Sequence, residues 1–333
     1  MVRLSVLDQS PVSSGSTGSA ALADTVALAQ AVERLGYSRF WLAEHHGSPG
    51  LAGTAPEVMV ARVASATSTI RVGAGAVLLS HYSPLKVAET FRVLAGLFPR
   101  RIDLGIGRAD GASPAAVSAL QAGVHGGAGP FGRKLADLLS HLGGSDPAVR
   151  AMPEGVDGPD VWLLASSSDG ALAAAGLGLP LCFAQFISPG FGPQIVARYR
   201  RDFSPVPLVP PDSGPRPTVA VAVAVICATT DAEAERLAAG VDGWRLTSEE
   251  ERGPVPPVAA GGSRVRSDLE QARVIQNRKR LIVGGPDRVA DALQRLAHDF
   301  EAEELVVLTV CHDPRDRLRS YELLAGCFGL PRP

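Results

Sequence analysis

Eight short apolar runs are spread along the chain, and nearly every gap between them carries a helical pattern or a long crossover. The runs are VRLSVL (2–7), RFWLA (39–43), IRVGAGAVLL (70–79), RIDLGIG (101–107), VWLLA (161–165), PLCFAQF (180–186), TVAVAVAVICA (218–228) and ELVVLTV (304–310). After the first, Leu22, Val26, Ala29 and Leu35 recur at helical spacing before Gly36, as one buried helix face requires. Pro56 and Pro84 open further helices, because a fixed φ and a missing N–H are harmless at a first helical position. Asp231 is expected as an N-cap, with Glu233 and Glu235 in the positive first turn of a helix reaching about Trp244. Strands that alternate with helices run parallel, since a parallel return needs a crossover long enough to hold one. Eight such units fit a closed (β/α)8 barrel of the α/β class, one domain over residues 1–333. An open doubly wound sheet is the rival, weakened because no G-x-G-x-x-G follows the first run.

Two stretches break the rhythm. FSPVPLVPPDSGPRP (203–217) carries six prolines and reads as an extended connection. Residues 246–280 form an insertion with a Pro/Gly loop followed by Arg264, Arg266, Arg273, Arg278, Lys279 and Arg280. Such an excursion from a barrel is a lid or binding loop, or its charges form a solvated face. Hydrophobic residues at 46% against 20% charged imply a sizeable core and exclude a disordered chain. A net charge of -2 gives no electrostatic case for nucleic acid or an anionic membrane. No apolar run approaches the ~20 residues of a membrane span, and no charged leader with an apolar core opens the chain. Cys182, Cys227, Cys311 and Cys327 form no C-x-x-C pair and read as buried small hydrophobes in a reducing compartment. A soluble, cytoplasmic protein that handles a small molecule is therefore expected.

In a barrel, working groups lie where strands end at their C-terminal side. Asp8-Gln9-Ser10, Glu44-His45-His46, Gly73 to Ser80, Gly105 to Arg108 and Ser166-Ser167-Ser168 occupy such positions. Successive extended residues point to opposite sides, so His45 and His46 would not converge on one ion, and no second His/carboxylate cluster completes a metal set. One histidine facing the mouth as an acid/base or hydrogen-bonding group, with the other packed outward, is the expectation; a purely structural pair is the alternative. Gly73 and Gly75 inside a strand suit close approach of a flat ligand, or small residues needed for packing. Arg108 can fork onto phosphate. The hydroxyls and amides at 166–168 precede a helix whose N-terminus favours an anion. Simple capping competes with that reading, and the Asp169 carboxylate would oppose a phosphate nearby.

RFWLAEHH, APEVMVARVASATSTIRVGAGAVLLSHYSPLKVAETFRVLAGLFPRRIDLGIGR, VWLLASSS and PLCFAQF together resemble the bacterial luciferase-like flavin monooxygenases, most of all their short single-subunit members. The resemblance is dense over 1–110, patchy over 160–200 and thin near 281–310. It implies a TIM barrel that binds reduced FMN at its mouth and reacts it with O2 to a flavin hydroperoxide that oxygenates an organic small molecule. A separate NAD(P)H-dependent reductase would supply the flavin, and a tailoring step in polyketide or related secondary (antibiotic) metabolism would be the setting. It implies His45 as catalytic histidine with His46 as its partner, and a non-proline cis peptide at Gly75-Ala76 behind the flavin. Arg108, Ser166 and Ser167 would hold the phosphate. A homodimer would form through helices at about 56–68 and 84–97. Two positions depart from the luciferases: Gly107 stands where they have a reactive cysteine, and Ser166 where they have a glutamate. Their long mobile loop has no counterpart unless 246–280 replaces it. An F420-dependent oxidoreductase of the same barrel and a non-catalytic flavin-binding protein are the competing readings.

Overall fold

The computed structural model describes residues 2–108, 114–122, 130–145, 148–204, 216–248, 251–262 and 266–331. Nine strands form one sheet: β1 (Arg3–Asp8), β2 (Arg39–Leu42), β3 (Arg71–Leu78), β4 (Ile102–Gly107), β5 (Asp160–Ala165), β6 (Leu181–Ala184), β7 (Val219–Cys227), β8 (Leu281–Gly284) and β9 (Glu304–Leu308). Neighbours run parallel from β1 through β7, and β9 joins β7 to β1. Eight strands thus close a (β/α)8 barrel, the α/β architecture expected, with the doubly wound sheet excluded because β1 is paired on both edges. β8, which the apolar runs did not reveal, is the ninth. Ala224 of β7 pairs with Leu308 of β9 and with Leu281 of β8. β8 therefore takes the edge of β7 that β6 leaves after Ala184.

β7 shows how sequence sets the two faces. Its period-two alternation sends Val219, Val221, Val223 and Val225 outward into the core shared with the helices. Ala220, Ala222, Ala224 and Ile226 point into a second cluster inside the barrel, with Leu7, Trp41 and Trp162. Small residues on the inner face leave room near the mouth. The base is filled by charge instead. Arg39 donates to both Glu304 oxygens at 2.9 and 3.2 Å and to Asp103 at 2.8 Å. Arg71 and the Trp41 indole add bonds to Asp103. Burial opposes ionisation of Asp103, but Arg39 and Arg71 outweigh it and hold the carboxyl below its usual range.

Helices cover the outside: Gly18–Arg34, Pro56–Ala66 and Pro84–Leu97 start close to the expected points, and Phe131–Leu142, Gly192–Arg201 and Pro286–Asp299 are among those that continue the layer. The helix Asp231–Leu246 is capped by Thr230, whose hydroxyl accepts from Glu233 N, rather than by Asp231. The Asp231 carboxylate instead accepts from Gly285 N at 2.6 Å, tying the turn after β8 to this helix. Cys182, Cys227 and Cys311 are buried as expected, while Cys327 is exposed at the end of the last helix. Among the described residues no helix is long and apolar enough to cross a membrane. The insertion contains helices Val258–Gly262 and Asp268–Arg278. It is stitched to the loops after β1 and β2 by Val255 N to Val12 O (2.7 Å), Ser14 N to Val255 O (2.8 Å) and Gly50 N to Arg252 O (2.9 Å). Most of the proline-rich stretch (205–215) and Arg264 lie outside the described residues.

Candidate active site

A cavity of about 810 Å³ opens at the C-terminal ends of the strands, a size ordinary for a cofactor or substrate site. Its floor is apolar: Leu7, Leu164, Cys182, Ala222 and Leu308 rise from the barrel interior. Its rim carries the residues to which the resemblance gives a part in catalysis or cofactor binding: His45, His46, Gly75, Ala76, Arg108, Ser166 and Ser167.

β2 ends at Leu42, so residues 44–46 are no longer strand and the period-two rule stops applying. The expectation that one histidine packs outward is corrected on that ground, since both line the cavity. Their surroundings differ. His46 Nε2 lies 2.7 Å from Glu44 Oε1. The same carboxylate accepts from the Tyr82 hydroxyl at 2.6 Å and from Leu78 N at 2.9 Å. His46 is thus held in a network joining the end of β2 to the turn after β3. His45 Nε2 lies 3.3 Å from the Gln9 side-chain amide nitrogen, and its Nδ1 is buried with no partner among the described residues. In this orientation the Gln9 amide donates, so Nε2 accepts and the ring proton sits on Nδ1. Burial, then Arg252 and His46, push the His45 pKa down to about 4. The imidazole is neutral at neutral pH.

The Gly75-Ala76 peptide bond is cis, as the resemblance implied. β3 holds one extra residue there, since Ala74 pairs with Leu104 but Val77 with Ile106, a bulge of the kind that re-aims backbone beside working sites. A Cβ at Gly75 would stand 2.9 Å from the Trp41 Cβ, and one at Gly107 would stand 3.0 Å from the Ala76 Cβ. At both positions neighbouring side chains already fill the space a Cβ would need, so the small-residue packing alternative holds for them.

β4 and β5 are neighbours, so Arg108 and Ser166-Ser167 follow adjacent strand ends. Arg108 is exposed at the rim. Ser167 caps the helix Ser168–Gly176, its hydroxyl accepting from Gly170 N at 3.5 Å. The capping alternative therefore holds for that hydroxyl, while the helix N-terminus still faces the cavity beside Arg108. Asp169 lines the same flank.

Of the strand-end stretch Asp8-Gln9-Ser10, only Gln9 serves the cavity. The Asp8 carboxylate turns outward to Arg317 (3.0 Å), the Thr25 hydroxyl (3.1 Å) and Ser10 N (2.6 Å). Sequence reading gave no role to several residues at or beside the site. Trp244 and Arg245, at the end of a helix, line the cavity with Arg252 and Arg280 of the insertion. Nothing at the level of spacing distinguished the arginines from surface charge. His81, quoted within HYSPLK, lies beside the cavity lining. It is buried, both ring nitrogens lack a partner among the described residues, and its ring centroid lies 6.3 Å from that of His46. No group of three or more His, Cys, Asp and Glu among the described residues is placed to hold a metal ion.

A closed parallel barrel with an imidazole, a basic rim and a helix N-terminus converging over an apolar floor defines an enzyme of the TIM-barrel class. The chain belongs to the luciferase-like monooxygenase family, whose model matches residues 2–303. It is 46% identical to the protein YwcH of Bacillus subtilis (strain 168) over 337 residues, covering 98% of this chain and 99% of that one. The crystal structure of apo-MsnO8 superposes with a TM-score of 0.90 at 41% identity, covering all of both chains. The oxygenating constituent of 3,6-diketocamphane monooxygenase from Pseudomonas putida, solved with FMN, shares the fold at 19% identity. Its TM-score is 0.71, with 98% of this chain and 97% of that one covered.

Proposed function

We propose that this chain, one domain over residues 1–333, is a cytoplasmic monooxygenase that uses reduced FMN and O2 to oxygenate an organic small molecule. A separate NAD(P)H-dependent reductase supplies the reduced flavin, and the setting is secondary-metabolite tailoring. The observation that carries the reading is the convergence of His45, the Gly75-Ala76 backbone and the Arg108/Ser166/Ser167 rim on one apolar-floored cavity.

The residues fit the cofactor. Gly75, Ala76 and Gly107 line the cavity with little or no side chain of their own, which suits a flat ring laid against backbone. Arg108 and the amides at the start of the helix Ser168–Gly176 suit a dianionic phosphate. His45 Nδ1 is an orphaned buried polar atom, a cost of about 1–3 kcal/mol that a chain retains where another role requires it. Bound reduced flavin supplies the electron pair that lets O2 deliver one oxygen atom to the substrate and the other to water. The chain's own residues bind, orient and exclude water. Leu7, Leu164, Ala222 and Leu308 keep the chamber dry, which protects a reactive oxygen species from protons and strengthens each polar contact inside. Gln9 fixes the His45 ring, which holds a proton on Nδ1, and the Glu44–His46–Tyr82 network anchors the loop that carries it.

We place the homodimer contact on the neighbouring helices Pro56–Ala66 and Pro84–Leu97, which expose Val58, Val93 and Leu97, apolar side chains that an interface would cover.

The test is anaerobic titration with reduced FMN, then mixing with air. Binding followed by flavin-dependent oxygen uptake supports the reading; binding of reduced F420 alone, without oxygen uptake, overturns it. His45→Ala is expected to leave FMN binding measurable and to lower product formation about 100- to 10,000-fold, the range of a lost acid/base group. Unchanged turnover would remove His45 from the mechanism.

A further inference from the structure

The flank of the cavity opposite the Arg108 side is basic, and among the described residues one of its inward cations, Arg245, has neither an ion-pair nor a side-chain hydrogen-bond partner. Arg245, Arg252 and Arg280 all line it. Arg280 is exposed and keeps its hydration, and the other neighbouring cations have partners. Arg278 makes a two-point pair with Asp242 at 2.7 and 3.0 Å and reaches Glu235 at 3.1 Å. Arg252 donates to Thr247 O at 3.1 Å and stacks over the Trp244 ring at 4.5 Å. Arg245 differs: its side chain makes no hydrogen bond or ion pair among the described residues, and its Nε is buried without a partner.

Asp242, the carboxylate whose charge acts on Arg245, is committed to Arg278, and Arg252 and Arg278 both repel Arg245. Burial and then Arg252 press its pKa down to about 10, so it remains a cation at neutral pH. Elsewhere on the cavity wall, Glu44 is engaged by His46, Tyr82 and Leu78 N, and Asp169 lies across the mouth after β5. An unpaired, partly desolvated guanidinium is costly. Nothing in the described chain repays that cost.

We infer that the counter-ion arrives with the substrate: the cavity takes an organic carboxylate, its carboxyl group held by Arg245 beside the Trp244-stacked Arg252. A guanidinium fork matches a carboxylate in two hydrogen bonds. Calling the ligand a substrate rests on the monooxygenase reading; the anion site does not. The site is also separate from the proposed phosphate site. Arg108 and Ser166-Ser167 follow β4 and β5, whereas Trp244-Arg245 end the helix after β7, and Arg252 bonds to Gly50 between β2 and the next helix. Arg252 is close enough to His45 to depress its pKa. A carboxylate held here would therefore lay its organic part across the Leu308 and Val310 side of the floor, next to His45.

The experiment uses flavin-free protein and two probes of equal shape, octanoate and octanamide, titrated by calorimetry. The native protein is expected to bind octanoate at least tenfold more tightly than octanamide. Arg245→Gln should erase that preference, Arg245→Lys should keep part of it, and Arg108→Ala should leave it intact. Equal affinities in the native protein, none measurable included, would overturn the inference. So would a preference that survives Arg245→Gln, or one lost in Arg108→Ala, which would assign the carboxylate to the phosphate site. Arg245→Gln should melt at or above the native temperature, because it removes an unpaired charge; a midpoint several degrees lower would make Arg245 structural and overturn the site. Neither flavin nor oxygen enters these arms, so they stay readable if oxygen uptake with reduced FMN fails.

Discussion

The two ends of this barrel treat buried charge in opposite ways. At the base, Arg39, Arg71, Asp103 and Glu304 meet in one network with the Ser5 hydroxyl and the Trp41 indole, and the charges are matched by partners within hydrogen-bond reach. At the mouth, His45 Nδ1 and Arg245 Nε are buried without partners among the described residues. A fully connected buried network specifies one packing, while a half-satisfied one is a liability in a purely structural setting. The base is therefore built for the fold. The mouth sacrifices stability for groups that a ligand completes, the usual relation between stability and function.

The contrast is sharpest where a charge is deleted. Asp103→Ala should strand Arg39 and Arg71 and cost about 3–5 kcal/mol, read as a fall in the denaturation midpoint; a loss under 1 kcal/mol would mean the base network is ornamental. Acid should then separate the two ends. The His45 pKa is about 4 in the folded chain against 6.5 for an ordinary histidine, so the unfolded chain binds the extra proton between those values. Stability should fall by roughly 2–3 kcal/mol as pH drops from 6.5 to 4, and His45→Gln should flatten that slope. Asp103, whose folded pKa is depressed by Arg39 and Arg71, contributes stability above the ordinary carboxylate pKa that is lost only as pH falls through its lower folded value. Denaturant titrations of both variants from pH 7 to 3 would show whether the mouth yields before the base. Smallest is Arg108→Ala. Its guanidinium is exposed, so a charge-assisted phosphate contact there is worth the lower end of its range, about tenfold in reduced FMN affinity; an unaltered anaerobic titration would remove the phosphate role.

Much of this was legible along the chain. The β7 run TVAVAVAVICA announced a strand buried on both faces, and its alternation already separated the large outer residues from the small inner ones. The His45, Arg108 and Ser166-Ser167 positions followed from strand ends alone, because a parallel barrel sends every such end to the same rim. Four-residue β8 escaped notice because LIVG sits between a basic helix end and a Gly-Gly-Pro turn, too short to show a period.

Local pattern, a matter of side-chain periodicity and turn chemistry, settled the barrel and the rim on which its chemistry lies. Partnership did not follow from it. That Tyr82 locks the Glu44 carboxylate while His45 is left with Gln9, that Asp8 turns away to Arg317, and that Arg245 lacks the carboxylate its neighbour Arg278 takes all depend on contacts across tens or hundreds of residues. Hydrogen bonds and ion pairs are short-ranged and exclusive, so which group takes which partner is set only once the closed barrel has brought distant segments within 3 Å of one another.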